Sequence, residues 1–298
     1  MTGAFSFTGR FITTELLARG RLVRTLTNHP SRPGRLLEVE TAPLQFTDRQ
    51  RLLADLTGVE TLYNTYWIRY PQVGTTFDRA VANIAFLAEA ARAAGVAKIV
   101  HVSVSNPSIT SRLAYYRGKA EAEEVIKQSG IDWSIVRPTL IFGQGDILLN
   151  NIAWLLRHLP IFFVPGDGSY RLQPVSGPDV ARICLAAGNG LITDAAGPEI
   201  MSYRDLTQRL AATVGVSRPV FEIPPKLALA SLVPMNLILR DTILVKEELD
   251  GLMGENLVSS EPAIGTERLG DFLESVRDTI GRAYASEMAR HVEGLARP

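Results

Sequence analysis

From Thr2 to Gly143 the chain alternates short strand-like runs with segments of helical period, and that rhythm leaves few folds open. Residues 22–27 (LVRTLT), 36–46, 59–65 (VETLYNT), 98–103 (KIVHVS) and 133–137 read as β-strands. Between them apolar residues recur three and four apart. The clearest case is Ala80, Val81, Ile84, Leu87, Ala88 and Ala91, within a helix over 77–94 that Gly95 ends. Strands alternating with helices predict a parallel sheet covered on both faces, with right-handed crossovers. After Gly143 the rhythm changes. Residues 146–159 form an apolar helix with Asn150, Asn151 and Trp154, 165–168 (PGDG) a turn, and 201–215 a helix entered through Ser and Asp. The division expected is a parallel-sheet region over 1–143 and a smaller, mostly helical region over 144–298, interleaved with the sheet. From Pro224 onward, Leu227, Ala230, Leu232, Leu237 and Leu239 read first as a core face, with a lid or a partner surface as the alternative.

Composition closes off several function classes. At 298 residues and 46% hydrophobic, the chain can bury a substantial core. Its 31 basic and 31 acidic residues give no electrostatic case for nucleic acid or an anionic membrane. The single Cys184 excludes an internal disulfide framework and points to a reducing compartment. No apolar run is long enough for a membrane span, and no basic, then apolar, leader is apparent. A cytoplasmic location is therefore expected. No His/Cys cluster suggests a metal, and no Gly-x-Ser-x-Gly elbow is present.

The chemistry concentrates in residues 115–143, YYRGKAEAEEVIKQSGIDWSIVRPTLIFG. Tyr115 and Lys119 are four apart and share one face of a helix. A phenol titrates near ~10 in water, and a cation one turn away favours the phenolate. Such a pair can serve as an acid and base near neutral pH, although a solvated helix face has the same spacing. The same helix carries Glu121, Glu123, Glu124 and Lys127 as a charged face.

The string GKAEAEEVIKQSGIDWSIVRPTLIFG resembles the helix and strand that follow the catalytic Tyr in the short-chain dehydrogenase/reductase superfamily, in its extended and atypical branches. That branch includes sugar-nucleotide-epimerase-like proteins and the nucleotide-binding accessory subunit of respiratory complex I. The fold implied is α/β, a Rossmann-like doubly wound parallel sheet. Residues 2–9, Thr2-Gly3-Ala4-Phe5-Ser6-Phe7-Thr8-Gly9, are similar to the family's glycine-rich turn. Gly3 and Gly9 take its first and third positions, Ser6 stands where the middle glycine is expected, and Phe5 and Phe7 flank it. Such a turn brings backbone amides to a pyrophosphate at a helix N-terminus. The first strand, which should precede Thr2, is expected to be missing.

The resemblance implies an NAD(P) cofactor and assigns roles. Tyr115 would be the acid/base, and Lys119 would hold the nicotinamide ribose. Ser103, or else Ser105, would bond the substrate carbonyl. Asn28, followed by His29, Arg32 and Arg35, replaces the usual acid after the second strand and suits a 2′-phosphate, so NADP is preferred over NAD. Asp48 would lie beside the adenine or cap a helix. Asn64, Thr65 and Tyr66 end the fourth strand, and Tyr66 with Trp67 would line the cleft. Asn83 occupies a polar supporting position. Pro138, after Arg137, and Gln173 with Pro174 would wall the substrate side. His101 reads as a buried, hydrogen-bonded side chain. Two functions follow: an oxidoreductase or epimerase acting on a carbonyl or hydroxyl, or a non-catalytic NADP(H)-binding sensor or accessory subunit. The partners expected are a dinucleotide and a small-molecule substrate, with a homodimer left open.

Overall fold

The computed structural model describes residues 1–28, 38–71 and 74–286. His29, Arg32 and Arg35 lie outside the described residues. The chain forms two compact units, Met1–Pro138 with Gly177–Ala195, and Thr139–Ser176 with Ala196–Pro298.

The first unit opens with α1 (Phe7–Ala18), β1 (Val23–Thr27), β2 (Val39–Pro43), α2 (Arg49–Leu56) and β3 (Thr61–Asn64). It continues with α3 (Phe77–Ala93), β4 (Lys98–Val102), α4 (Ala114–Lys127) and β5 (Asp132–Pro138). The second unit begins with β6 (Leu140–Phe142), α5 (Ile147–His158), β7 (Phe162–Pro165), β8 (Arg171–Leu172) and β9 (Pro174–Ser176). The chain returns to the first unit for α6 (Gly177–Ala186) and β10 (Leu191–Ala195). It ends in the second with β11 (Met201–Ser202), α7 (Tyr203–Thr213), β12 (Val220–Ile223), α8 (Pro225–Leu239), α9 (Lys246–Met253) and α10 (Leu269–Ser275).

In the first unit β10, β5, β4 and β3 lie side by side, all parallel, and β1 pairs with β2 in parallel. Residues 1–3 join the two sets. Thr2 N donates to Tyr63 O at 3.0 Å on one side, while Gly3 N donates to Leu26 O at 3.1 Å and Leu26 N to Met1 O at 2.8 Å on the other. The order is therefore β2, β1, residues 1–3, β3, β4, β5, β10. The central strand expected to be missing is present as a three-residue stub. Side chains complete what so short a ladder cannot: Thr2 Oγ1 accepts from Thr65 N at 2.8 Å and Tyr66 N at 3.0 Å, and donates to Asn64 Oδ1 at 3.0 Å.

The helices of this unit pack in two groups, α1 with α6, and α3 with both α2 and α4. That is the doubly wound arrangement. Its core gathers Leu26, Leu52, Leu56, Leu62, Ile84, Leu87, Ile99 and Ile126, all nearly inaccessible, each worth about 1.5–3 kcal/mol of burial. The face of α4 expected to be charged is partly internal. Glu123 is buried and takes a two-pronged bond from Arg137 of β5, at 2.9 and 2.5 Å. Arg137 is thus spent as a strut between helix and strand rather than on a substrate wall.

The second unit has its own core, including Phe142, Leu149, Ile152, Leu156, Val164, Leu172, Leu206, Leu210 and Leu273. Asp146 caps α5, and Ser202 with Asp205 forms a capping box on α7. Gln173, expected near the substrate, is internal: its amide donates to Gly197 O at 2.8 Å and accepts from Ser259 N at 3.0 Å. Helix α8 departs from the core-face expectation, since only Ala228 is buried and Leu227, Ala230 and Leu237 are exposed. Among the described residues, no helix is long and apolar enough to cross a membrane.

Candidate functional site

The candidate site lies in the first unit and has two ends. At one, the glycine turn is set by backbone geometry. Gly3 has φ +63°, which suits a residue without a Cβ. A Cβ on Gly9 would sit 2.0 Å from the Gly3 carbonyl oxygen, so the first turn of α1 can approach only through glycine. Ser6, in the middle-glycine position, is the N-cap of α1, and its Oγ accepts from Gly9 N at 3.1 Å. Phe5 and Phe7 are half-buried on either side. There is no acid in the first turn of α1. Arg10, one turn in, lays its guanidinium over the rings of Phe7 and Phe11, 5.1 and 4.9 Å from their centroids. A helix N-terminus with no acid in its first turn favours an anion. The cradle fits the phosphates of a dinucleotide.

From the turn a buried polar chain runs across the sheet. Asn64, at the end of β3, accepts from Thr2 Oγ1 and from Tyr66 N, then presents its amide nitrogen to His101 Nδ1 at 3.0 Å. Nδ1 is therefore the acceptor, and the ring proton sits on Nε2. Burial, with Lys119 nearby, holds the His101 pKa well below the usual value, so the ring is neutral. Thr65 Oγ1 donates to Thr2 O at 2.7 Å, and the Tyr66 hydroxyl accepts from Asn83 Nδ2 at 2.8 Å. Asn83 thus supports Tyr66, which also packs on Phe46 with centroids 4.9 Å apart.

The other end is built from side chains. Lys119 is buried, donates to Val102 O at 3.1 Å, and has its Nζ 4.8 Å from the centre of the Trp67 ring. Burial lowers its pKa to about 7, against an opposing pull from Glu123. Tyr115, half-buried, meets the same indole edge-on at 6.1 Å and Phe77 at 5.9 Å. Trp67 in turn stacks on Phe77 at 5.9 Å. Gly118 makes room for this, since a Cβ there would lie 3.1 Å from the indole. Tyr115 and Lys119 therefore converge on one ring, with Trp67 covering the ammonium. Among the buried polar atoms that have no hydrogen-bond partner among the described residues are Trp67 Nε1, His101 Nε2 near the end of β4 and Ser103 Oγ just after it. Unpartnered buried polar atoms are scarce in folded proteins and call for an explanation.

The remaining positions fall out as follows. Ser105 is fully buried, its N donating to Pro138 O at 2.9 Å. Pro138 ends β5, in register with Ala195. Asp48 caps α2, accepting from Arg51 N at 2.9 Å. Asn28 is exposed just after β1. Cys184 is buried, its thiol pushed up to about 12. The sequence reading did not single out Gly118. The signal it offered was a glycine inside a helix, where Ala would be favoured by about 1 kcal/mol.

Residues 3–146 match a family model described as NAD(P)H-binding. The chain is 31% identical over 262 residues to sterol demethylase protein B of Methylococcus capsulatus, covering 76% of this chain and 77% of that protein. It is 24% identical over 221 residues to the mitochondrial NADH dehydrogenase [ubiquinone] 1 alpha subcomplex subunit 9 of Arabidopsis thaliana. That match covers 69% of this chain and 55% of the relative, so the chain spans about half that protein's length. Among solved structures, the NADPH complex of the Escherichia coli quinone oxidoreductase QOR2 superposes with a TM-score of 0.73 at 19% identity, covering 92% of this chain and 98% of that one.

Proposed function

The chain belongs to the extended short-chain dehydrogenase/reductase-like family of NAD(P)-binding proteins, and from that premise we propose that it is an NAD(P)-dependent oxidoreductase or epimerase working through Tyr115 and Lys119. The observation that carries this reading is the convergence of Tyr115 and Lys119 on Trp67, together with buried polar atoms of His101, Ser103 and Trp67 that have no partner among the described residues. A buried donor with nothing to bond is costly unless a ligand bonds it.

When bound, the dinucleotide supplies the hydride chemistry. The chain's own residues do the rest. The glycine turn from Gly3 to Gly9 receives the phosphates, with Phe5 and Phe7 beside them. Asn28 and Asp48 lie on the adenosine side, where a neutral Asn favours NADP over NAD. Asn64, Thr65, Tyr66 and Pro138 frame the middle of the groove. Tyr115 passes a proton to or from the substrate oxygen, and Ser103, or else Ser105, bonds that oxygen. Lys119 supports the phenolate and holds the ribose once Trp67 turns aside. A lysine titrating near neutrality does this best in its charged form, below pH about 7. The substrate we propose is less polar than a free sugar, in keeping with Tyr66 and Trp67 at the groove and with a relative named for a sterol. A reducing compartment such as the cytoplasm is the proposed location.

A second reading, a non-catalytic NADP(H) holder or accessory subunit, is favoured by the Trp67 ring over Lys119 and by the relative named as a subunit of NADH dehydrogenase. Tyr115→Phe separates the two. For the enzyme, NADPH-dependent reduction of a ketosteroid or quinone panel falls by roughly 10²- to 10⁴-fold, while stabilisation by nucleotide persists. Unchanged turnover refutes a catalytic Tyr115. A melting temperature indifferent to both NADPH and NADH refutes both readings.

A further inference from the structure

The balanced net charge of the chain conceals one segment with a strong local character. Helix α8 has no charged residue between Lys226 and Arg240, and the only polar side chains between those two are Ser231 and Asn236. A helix apolar all round is ordinarily buried on every side. Here Ala228 alone is buried, while Leu227, Val233, Leu237 and Ile238 are 58, 54, 76 and 79% exposed. Their placement is not scattered. Lys226, Ala230, Val233, Leu237 and Arg240 fall four and three apart, which sets them in one stripe along the helix. Leu227, Pro234 and Ile238 run beside it. Pro234, having no N–H, also leaves the Ala230 carbonyl without its helical donor on this outer side.

Two further facts bear on what covers this face. Helix α8 packs against β7, and β7 pairs with β12 so that Phe163 and Phe221 are register partners, 38 and 51% exposed. Aromatic side chains thus stand on the strand pair next to the apolar helix. The charges at its ends are of one sign. Lys226 and Arg240 are exposed and have no ion-pair partner among the described residues, whereas the neighbouring acids are engaged. Glu222 pairs with Arg204, and Asp241 is buried, accepting from the Tyr284 hydroxyl at 2.9 Å.

We propose that α8 is a membrane-docking helix. It lies flat in the headgroup layer of an anionic bilayer, with Leu227, Val233, Leu237 and Ile238 against the acyl chains and Lys226 and Arg240 on lipid phosphates. At 15 residues it is too short to span. A row of exposed Leu, Val and Ile with a basic residue at each end, beside Phe163 and Phe221 of the neighbouring strands, gives apolar area to bury among acyl chains and charge to meet anionic headgroups. A protein partner of ordinary composition does not require one sign of charge at both ends, and an anionic lipid surface does. The proposal stands on the second unit alone and holds whether or not the dinucleotide site turns over.

The test is co-sedimentation of the full chain with vesicles of phosphatidylcholine alone and with vesicles that also contain phosphatidylglycerol. The wild type is expected to bind the anionic vesicles and to release with added salt. The double variant Leu237→Asp/Ile238→Asp loses binding roughly tenfold or more. Lys226→Glu/Arg240→Glu loses at least ~fivefold per cation. All four positions are exposed, so melting temperature and its response to NADPH should not change, which separates this test from the catalytic one. The proposal is overturned if the wild type sediments with neither vesicle, or if Leu237→Asp/Ile238→Asp binds as the wild type does. It is equally overturned if the wild type is a dimer that this double substitution splits, since a second copy then covers α8.

Discussion

The two ends of the candidate site are built from different materials. The glycine turn is fixed by the main chain, through a positive φ at Gly3 and a carbonyl 2.0 Å from where a Gly9 Cβ would be. The lysine end is held by side chains: an indole over an ammonium, a hydrogen bond to Val102 O, and buried polar atoms without partners among the described residues. A site fixed by backbone is ready for its ligand but intolerant of change. One closed by a side chain opens with a rotamer, at a cost in apparent affinity equal to the population of the open form. In the function proposed above, the phosphate end would set whether a dinucleotide binds, and the Trp67 end whether it reaches Tyr115.

The sharpest way to break this contrast is Gly9→Ala. The added methyl must displace backbone, so we expect a loss of roughly 3 kcal/mol or more in urea unfolding, together with loss of NADPH stabilisation. Gly3→Ala should cost less, ~1–2 kcal/mol for a left-handed alanine. Were both variants as stable as the wild type, the turn would not be a backbone-limited cradle.

Lys119→Met probes the opposite end. The fold holds this lysine at a pKa of about 7, below its usual value, so the folded state resists a charge that the unfolded chain accepts. The penalty is present in full below pH 7 and fades as pH rises toward the unfolded value, so stability rises with pH in that window. We expect the wild type to gain about 2 kcal/mol relative to Lys119→Met between pH 7 and 9. Parallel pH profiles for the two proteins would show that Lys119 is not buried as described. The smallest effect belongs to Trp67→Phe. Uncovering Lys119 should tighten NADPH binding by about two- to tenfold in calorimetry. Weaker binding would make Trp67 a platform for the nucleotide rather than a cover over the lysine.

How much of this could be read from the sequence depended on whether a feature was periodic or singular. The sheet was legible because Leu26, Leu62 and Ile99 sit in strand runs between helices with apolar faces such as Ile84 to Ala91. The central strand was not, because residues 1–3 carry no period, and their place shows only through ladder bonds to Leu26 and Tyr63. Asp48 as a cap and His101 as a buried, bonded ring were readable from local chemistry. The burial of Glu123 against Arg137 was hidden, since both look like ordinary surface charges until helix and strand meet. Trp67 over Lys119 was hidden for a related reason: the two are far apart in sequence, and Gly118 alone marks the space between them. Residues 227–239 were read as core because apolar sequence predicts burial, and the exposure of Leu237 and Ile238 reverses that.

The most direct test follows Trp67 itself. In a variant with Trp133 and Trp154 replaced by Phe, the remaining indole reports on the lysine end while the melting temperature reports on the chain as a whole. Titration with NADPH should change Trp67 emission along the same saturation curve that raises the melting temperature, because in the proposed mode of binding the nucleotide held at the glycine turn displaces this ring to reach Lys119. A rise in melting temperature with Trp67 emission unmoved would mean that the dinucleotide stops short of Tyr115, and the account would be contradicted.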